Sequence, residues 1–538
     1  MNDFQQSNDF CWWKHGIVYH IYPQSFYDAN GDGIGDLLGI MQKLDYLAKL
    51  GVDAIWLSPI YPSPLADGGY DITNYKDINA IYGSMNDFKL LLETAHKKGI
   101  RIIMDLVLNH TSEQHPWFQE SRSSLDNPKR DWYIWQAPKN KKAPNNWRTN
   151  FGEKAWKYDP VTCEYYYHSF FYEQPDLNWR NPEVKKAMFE VAEFWLEQGI
   201  DGFRLDVINM LYKDKKLRNN PISNFFSNKR KVFNRNRGSV YKILREFRQL
   251  LDKYADKTSV GEIYAVPPGD TKLASSFLGT GNDMLHLAFD FSLVFTRWKA
   301  ALYYKTIKRI YRKIPREGWP CFFLSNHDVG RSTKRFGIVF FKYQKAKLHA
   351  LLLLTLKGTP FVYYGDEIGM ENASIAKDQI RDRYGKLFYP LFKGRDGFRT
   401  PMQWNSNANA GFSEGKPWLP VHLNYQSINV EAEAKISDSI YSIYKQLMQL
   451  RKNHKALQSG SIKFLCKGKR NILAYQRCLQ GEKLLVFLNF SFLQKRLDIN
   501  TEGMEQIFST HPQANSIESG KVVLKPYQGV VLQHKCSI

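Results

Sequence analysis

Two apolar rhythms alternate along the first 456 residues. Short apolar runs at 17–22, 52–57, 102–108, 202–207, 259–263, 285–289, 321–324 and 360–363 read as buried strands. Between them, at 37–50, 85–98, 184–198 and 240–255, apolar residues recur every three or four positions, the period of an amphipathic helix. Repeated β-then-α units predict a parallel sheet with both faces covered, and eight of them favour a closed (β/α)8 barrel in the α/β class. Two stretches interrupt the rhythm. Residues 111–179 are rich in Trp, Tyr, Asn and Pro, show no helical period and are too long for a loop, so they predict a small inserted domain after the third strand. Residues 211–238 form a second excursion, after the fourth strand. From 457 onward, short segments such as 472–477 and 484–490 are separated by Gly, Asn and Lys, which predicts an all-β C-terminal domain. A helix at 436–450 closes the barrel before it. The expected division is a barrel from 1–110 and 180–456, an insert at 111–179 and a C-terminal β-sandwich at 457–538.

Composition narrows this picture. A chain of 538 residues exceeds one small core. Lys and Arg outnumber Asp and Glu by 75 to 53, giving +22. Such a charge suits nucleic acid, a membrane surface or an acidic substrate. No arginine-rich tail or zinc-finger spacing supports the first, and the run Lys229-Arg230-Lys231 beside Phe225, Phe226 and Phe233 reads as a solvated loop over an active site. The six cysteines (Cys11, Cys163, Cys321, Cys466, Cys478, Cys536) contain no C-x-x-C pair, which fits free thiols in a reducing compartment. The first residues lack the apolar core of a signal peptide, and the longest apolar stretch, 348–356, is too short to span a bilayer. The expectation is a cytoplasmic enzyme with a small-molecule substrate rather than a membrane or nucleic-acid protein, acting as a monomer. There is no G-x-G-x-x-G and no P-loop, and no organic cofactor is expected.

Candidate chemistry gathers at the predicted strand ends. The third strand ends at Asn109-His110, the fourth at Arg204-Leu-Asp206, the fifth at Glu262 and the seventh at Asn326-His327-Asp328. Chemistry in such a barrel sits at this face, so three carboxylates would converge on one mouth. Side chains alternate along a strand, so Arg204 and Asp206 share a side, and the arginine would keep the aspartate ionised. Two carboxyl groups about 5 Å apart allow glycosyl transfer by double displacement. The abundant aromatic rings suit stacking on sugar faces. Near the N-terminus, Asp28, Asn30, Asp32, Ile34 and Asp36 place oxygen donors at alternate positions around Gly33. This spacing copies the start of a calcium loop. It equally suits a glycine-rich turn capping the following helix.

These motifs together resemble the α-amylase family of glycoside hydrolases, in its α-glucosidase and oligo-1,6-glucosidase branch. The resemblance rests on Gly51-Val-Asp-Ala-Ile-Trp-Leu-Ser-Pro-Ile60, Asp105-Leu-Val-Leu-Asn-His110, Gly202-Phe-Arg-Leu-Asp-Val207, Gly261-Glu262, Ser325-Asn-His-Asp328 and Gly365-Asp-Glu-Ile-Gly-Met370, in that order. Gln174-Pro-Asp-Leu-Asn178 looks like the signature of the branch. The resemblance implies a retaining α-glucosidase with Asp206 as nucleophile, Glu262 as acid/base and Asp328 as transition-state stabiliser. It implies that Asp67, Tyr70, His110, Gln174, Arg204, His327 and Arg399 serve the terminal glucose, and that Phe151 and Phe170 wall its pocket. It also implies a structural calcium ion on the 28–36 loop. Val207 after the nucleophile resembles enzymes acting on α-1,6 bonds, whereas the segment 209–215 is more like those acting on α-1,4 bonds. Trehalose-6-phosphate hydrolases and transglycosylating relatives, of the sucrose isomerase and trehalose synthase types, share the catalytic groups. The basic charge suits a phosphorylated substrate; Pro175, where those hydrolases tend to carry Ala, counts against one.

Overall fold

The computed structural model describes residues 10–221, 232–265, 268–333 and 341–534. Phe225, Phe226, Lys229, Arg230, Lys231 and Cys536 lie outside the described residues, as does the N-terminal stretch up to residue 9.

Eight parallel strands form the central sheet: β1 (Val18–Ile21), β2 (Ala54–Leu57), β3 (Arg101–Leu106), β4 (Gly202–Leu205), β5 (Thr258–Glu262), β6 (Leu287–Phe289), β7 (Cys321–Phe323) and β8 (Thr359–Tyr363). Their order is β7-β8-β1-β2-β3-β4-β5-β6, with Val18 paired to both Ala54 and Phe361 and Gly202 to both Ile103 and Thr258. Side chains bridge the remaining seam: the Cys321 thiol lies 3.4 Å from the Ala288 carbonyl, and the Phe289 and Phe323 rings pack 5.0 Å apart. The barrel predicted from the eightfold alternation is the one observed. Helices cover the sheet on one side and barrel side chains fill it on the other, so the strands are buried throughout and read as continuous apolar runs. Gly202 is required where β4 meets β5, because a Cβ there would come 2.5 Å from the Thr258 carbonyl oxygen.

Local signals set the helix ends. Ser84 and Asp87 form a reciprocal capping box on Met85–Lys97, and Asn181 caps Pro182–Glu197 with proline in its first turn. The expected helix at 37–50 divides at Lys43 into Leu37–Gln42 and Leu44–Leu50. The Lys43 ammonium sits 3.7 Å from the centre of the Tyr27 ring and 4.5 Å from that of Trp404, a double cation–π contact at the break. The last barrel helix runs Ile440–Asn453, later than the 436 start read from periodicity, because Ser439 supplies its cap.

Between β3 and β4, a small sheet pairs Glu164–Tyr167 with Trp135–Gln136 and Trp156–Asp159. The C-terminal region holds a five-stranded sheet and a three-stranded sheet, with Ile472, Phe487, Val522, Leu524 and Leu532 packed in one apolar cluster. The apolar run near 350 belongs to the helix Lys342–Thr355, which is buried on nearly every face. Leu348 and Leu351 of this helix press on Gly529, so the C-terminal sheet covers it. Its last carbonyls accept hydrogen bonds from two buried arginines: Arg451 Nη1 reaches Leu354 (3.1 Å) and Arg477 Nη1 reaches Thr355 (2.6 Å). Cations suit this negative helix end. Among the described residues no helix is long and apolar enough to cross a membrane.

Candidate active site

The carboxyl ends of β3, β4, β5 and β7 open on one cavity of about 230 Å³. Asp206, Glu262 and Asp328 all line it, with Asp67, Tyr70, His110, Phe151 and Phe170. At its floor lies Arg204, fully buried. Its Nη1 donates to Asp206 (2.7 Å) and to Asp105 (2.8 Å), and its Nη2 donates to Glu262 (2.5 Å). One guanidinium therefore anchors the two candidate catalytic carboxylates side by side. The sequence places Arg204 beside Asp206; the structure adds Asp105 and Glu262 to the same guanidinium. Three buried carboxylates share one cation here, so its charge is divided. Burial, with the neighbouring carboxylates adding to it, holds the Asp206 carboxyl well above the usual range despite Arg204, and burial also raises Glu262. Both carboxyls therefore hold a proton to higher pH than an isolated carboxylate would.

Asp328 lies in the opposite environment. Burial alone would raise it, but His327, Arg395 and Arg399 outweigh that and hold it well below the usual carboxylate range. His327 Nε2 is 3.0 Å away, Arg399 Nη2 2.9 Å and Arg395 Nη1 3.1 Å. The site thus combines two carboxyls raised by burial with a third held low by its cationic neighbours.

Four of the implied substrate residues stand one layer behind the cavity wall. Arg204 holds Asp206 and Glu262. His327 bonds the Tyr70 hydroxyl (2.8 Å) as well as Asp328. Arg399 bonds the His327 carbonyl (2.7 Å) and Asp328. Gln174 donates to Asp67 (3.2 Å) and meets the His110 ring (3.1 Å). Burial lowers the His110 pKa to about 4, so its imidazole is neutral at pH 7. Val207, next to Asp206, adopts φ 35°, in the left-handed region that β-branched residues avoid. Packed against Phe170 and Met210, it turns the chain sharply at the cavity edge, a strain of the kind found at functional sites.

The decisive comparison follows from this geometry. Residues 20–460 match the family model for the alpha amylase catalytic domain, and residues 472–531 match the alpha-amylase SusG C-terminal domain. The chain belongs to the α-amylase family. It is a glycoside hydrolase of that family. An oligo-1,6-glucosidase of Parageobacillus thermoglucosidasius is 43% identical over 518 residues, covering 89% of this chain and 90% of that one. A trehalose-6-phosphate hydrolase of Bacillus subtilis (strain 168) is 36% identical, covering 97% and 98%. Among solved structures, the alpha-glucosyl transfer enzyme XgtA superposes with a TM-score of 0.91 at 37% identity, over 98% of this chain and all of that one.

In this α-amylase-family site, several residues carry no signal that singles them out in the sequence. Arg395 bonds Asp67 (2.6 Å) and Asp382 (2.9 Å) besides Asp328, tying three carboxylates across the cavity. Its only sequence mark is its place four residues before Arg399. Asp105, buried on β3, is the third acid on Arg204. Tyr264, Phe291, Phe295, Tyr384 and Phe392 line the outer part of the cavity. The Tyr384 ring lies 4.7 Å from that of Phe151, so the 383–392 segment forms part of the mouth.

Proposed function

We propose that this enzyme is a retaining α-glucosidase that removes terminal α-linked glucose from short oligosaccharides. The observation that carries the reading is the bonding of Asp206 and Glu262 to the two ends of one guanidinium, at the floor of a cavity of monosaccharide size. In this reading a proton held in the site sits on Glu262 when substrate binds, and Asp206, left ionised on Arg204, attacks the anomeric carbon. Glu262 gives its proton to the leaving oxygen. A covalent glucosyl-Asp206 forms; Glu262, now a carboxylate, takes a proton from water, which attacks the anomeric carbon and frees glucose with its original configuration. Asp328, ionised throughout, strengthens its contact with the sugar as positive charge develops on the ring. Asp67 and Arg395 bound the far side and limit the pocket to a chain end. Incubation with maltose, isomaltose, sucrose, trehalose and cellobiose tests the reading. Glucose is expected from α-linked substrates and none from cellobiose; glucose from cellobiose alone would contradict it. Transfer to a sugar acceptor is a second reading, supported by the apolar mouth at Tyr264, Phe291, Phe295 and Phe392, which disfavours water. Free thiols at all five described cysteines support a reducing, cytoplasmic setting.

The 28–36 loop supports a structural calcium ion as part of this proposal. Asp28 and Asp36 are buried 4–5% exposed, and burial, then the Asp28 charge, raises the Asp36 carboxyl. Asp28 accepts from the Gly31 and Gly33 amides, and Asn30 and Asp32 accept from Asp32 and Ile34 amides, which folds the loop into a tight oxygen-rich turn. Among the described residues no three His, Cys, Asp or Glu side chains group as a metal site, so the ion is proposed on the spacing of the loop and the burial of Asp28 and Asp36. A hard cation would relieve the crowded charge. Bound at a hundredfold excess over its Kd, it would stabilise the fold by about 2.7 kcal/mol. The melting temperature is expected to fall when a chelator is added and to recover with calcium; a Tm indifferent to both contradicts the assignment.

A further inference from the structure

In the C-terminal region, the strand Glu482–Asn489 runs into a short loop that leads on to the strand Lys495–Leu497. Phe492 and Leu493 stand at the tip of this loop, 65% and 51% exposed. Single apolar side chains on a surface need no explanation, but two large neighbours held in water by a fixed loop do. The loop is fixed from inside. Asn489, fully buried, accepts from the Ser491 amide (3.0 Å) and hydroxyl (2.8 Å). Its Nδ2 donates to the carbonyls of Leu493 and Lys525, both at 2.8 Å. The Tyr527 amide donates to the Ser491 carbonyl (3.0 Å). Phe490 anchors the base of the loop on the barrel, its ring 4.8 Å from that of Trp298 and 5.0 Å from that of Tyr303.

Cations surround this tip. The Phe490 amide donates to the Asn471 carbonyl (2.9 Å), which sets the loop beside the turn carrying the exposed Lys469 and Arg470. Asn489 sets Lys525 beside Leu493, and Lys495 follows two residues later. Gly468 lies so close to Ala301 that a Cβ there would come 2.3 Å from its backbone, so the same turn abuts the barrel helix Ala300–Lys313. Along that helix Lys305, Lys308, Arg309, Arg312 and Lys313 recur every three or four residues and are all exposed, a single basic stripe. Among the described residues none of these cations pairs with a carboxylate, whereas Lys521, farther along the same sheet, is matched by Asp498.

We propose that this surface docks the enzyme on an anionic lipid bilayer, with Phe492 and Leu493 entering the headgroup layer and the surrounding cations meeting its phosphates. Apolar side chains at a rigid tip, ringed by unpaired lysine and arginine, suit a protein that lies on a membrane rather than crosses it. The absence of a crossing helix among the described residues agrees with this mode. A polyanion in water would use the same cations but has no use for an exposed leucine beside them. None of these residues lines the catalytic cavity, so the proposal stands apart from the glucosidase reading.

Cosedimentation with lipid vesicles tests this. The native enzyme is expected to bind vesicles of equal parts phosphatidylcholine and phosphatidylglycerol, to leave them at high salt and to ignore vesicles of phosphatidylcholine alone. Partitioning should fall about tenfold in Phe492→Ser/Leu493→Ser, which removes the apolar tip. It should fall at least about tenfold in Lys469→Glu/Arg470→Glu, which reverses the charge beside it. All four side chains are exposed or at a loop tip, so an unchanged melting temperature should show that neither loss is unfolding. A native enzyme that does not bind the anionic vesicles, or a tip variant that binds them as well as the native enzyme, overturns the proposal. Retention on immobilised RNA that survives the tip substitutions, without vesicle binding, would give the surface to nucleic acid. A dimer in light scattering that the tip substitutions dissociate, without vesicle binding, would give it to a second copy of the chain. Either result also overturns the lipid assignment.

Discussion

An Asp206→Asn protein is expected to lose at least about 10⁴-fold in kcat/KM on every α-glucoside, because an amide cannot form the covalent glucosyl intermediate. The substitution is close to isosteric. It removes one of three buried carboxylates that share Arg204, while Asp105 and Glu262 still neutralise the guanidinium. Folding should therefore survive, and an undiminished melting temperature would show that the loss is chemical. Activity within tenfold of the native enzyme would remove Asp206 from the nucleophile role.

Glu262→Gln is expected to cost about 10²–10⁴-fold on disaccharides, the usual contribution of a positioned general acid. The loss should be much smaller in the first step with α-glucosyl fluoride, whose leaving group needs no proton. The pH profile offers a second readout. The reactive form of the Asp206/Glu262 pair carries one proton. Lowering the pH adds a second proton and silences the nucleophile; raising it strips the only one and removes the acid. The native kcat/KM profile should therefore be bell-shaped, and because burial raises Glu262, the basic limb should lie above the ordinary carboxylate range. In Glu262→Gln that limb should disappear. A variant equally impaired on fluoride and disaccharide, with the limb intact, would show that Glu262 acts structurally.

The strand ends were legible in the sequence because barrel geometry makes position along a strand equivalent to position in space. Once the eightfold alternation is seen, Asp206, Glu262 and Asp328 fall on one rim without any knowledge of contacts. The partners behind them were less legible. Alternation puts Arg204 beside Asp206, but it cannot show that Asp105 from β3 and Glu262 from β5 reach the same guanidinium. Nor does alternation show that burial, with the neighbouring carboxylates, outweighs Arg204 and raises the Asp206 carboxyl. Arg395, Tyr384 and Phe392 come from a stretch without periodicity, so only tertiary packing brings them to the mouth. The break at Lys43 escaped for a similar reason: the rings that receive its ammonium come from Tyr27 and Trp404, far apart in the chain. The turn at Val207 runs against the preference of a β-branched residue, and local propensity fails there because the surrounding packing imposes the conformation.

The most direct measurement is the mass of proteolytic peptides from Glu262→Gln protein quenched during turnover of α-glucosyl fluoride. Rapid glucosylation followed by slow hydrolysis should leave one hexose on the peptide carrying Asp206. A hexose on a different carboxylate, or glucose of inverted configuration with no labelled peptide, would contradict the account.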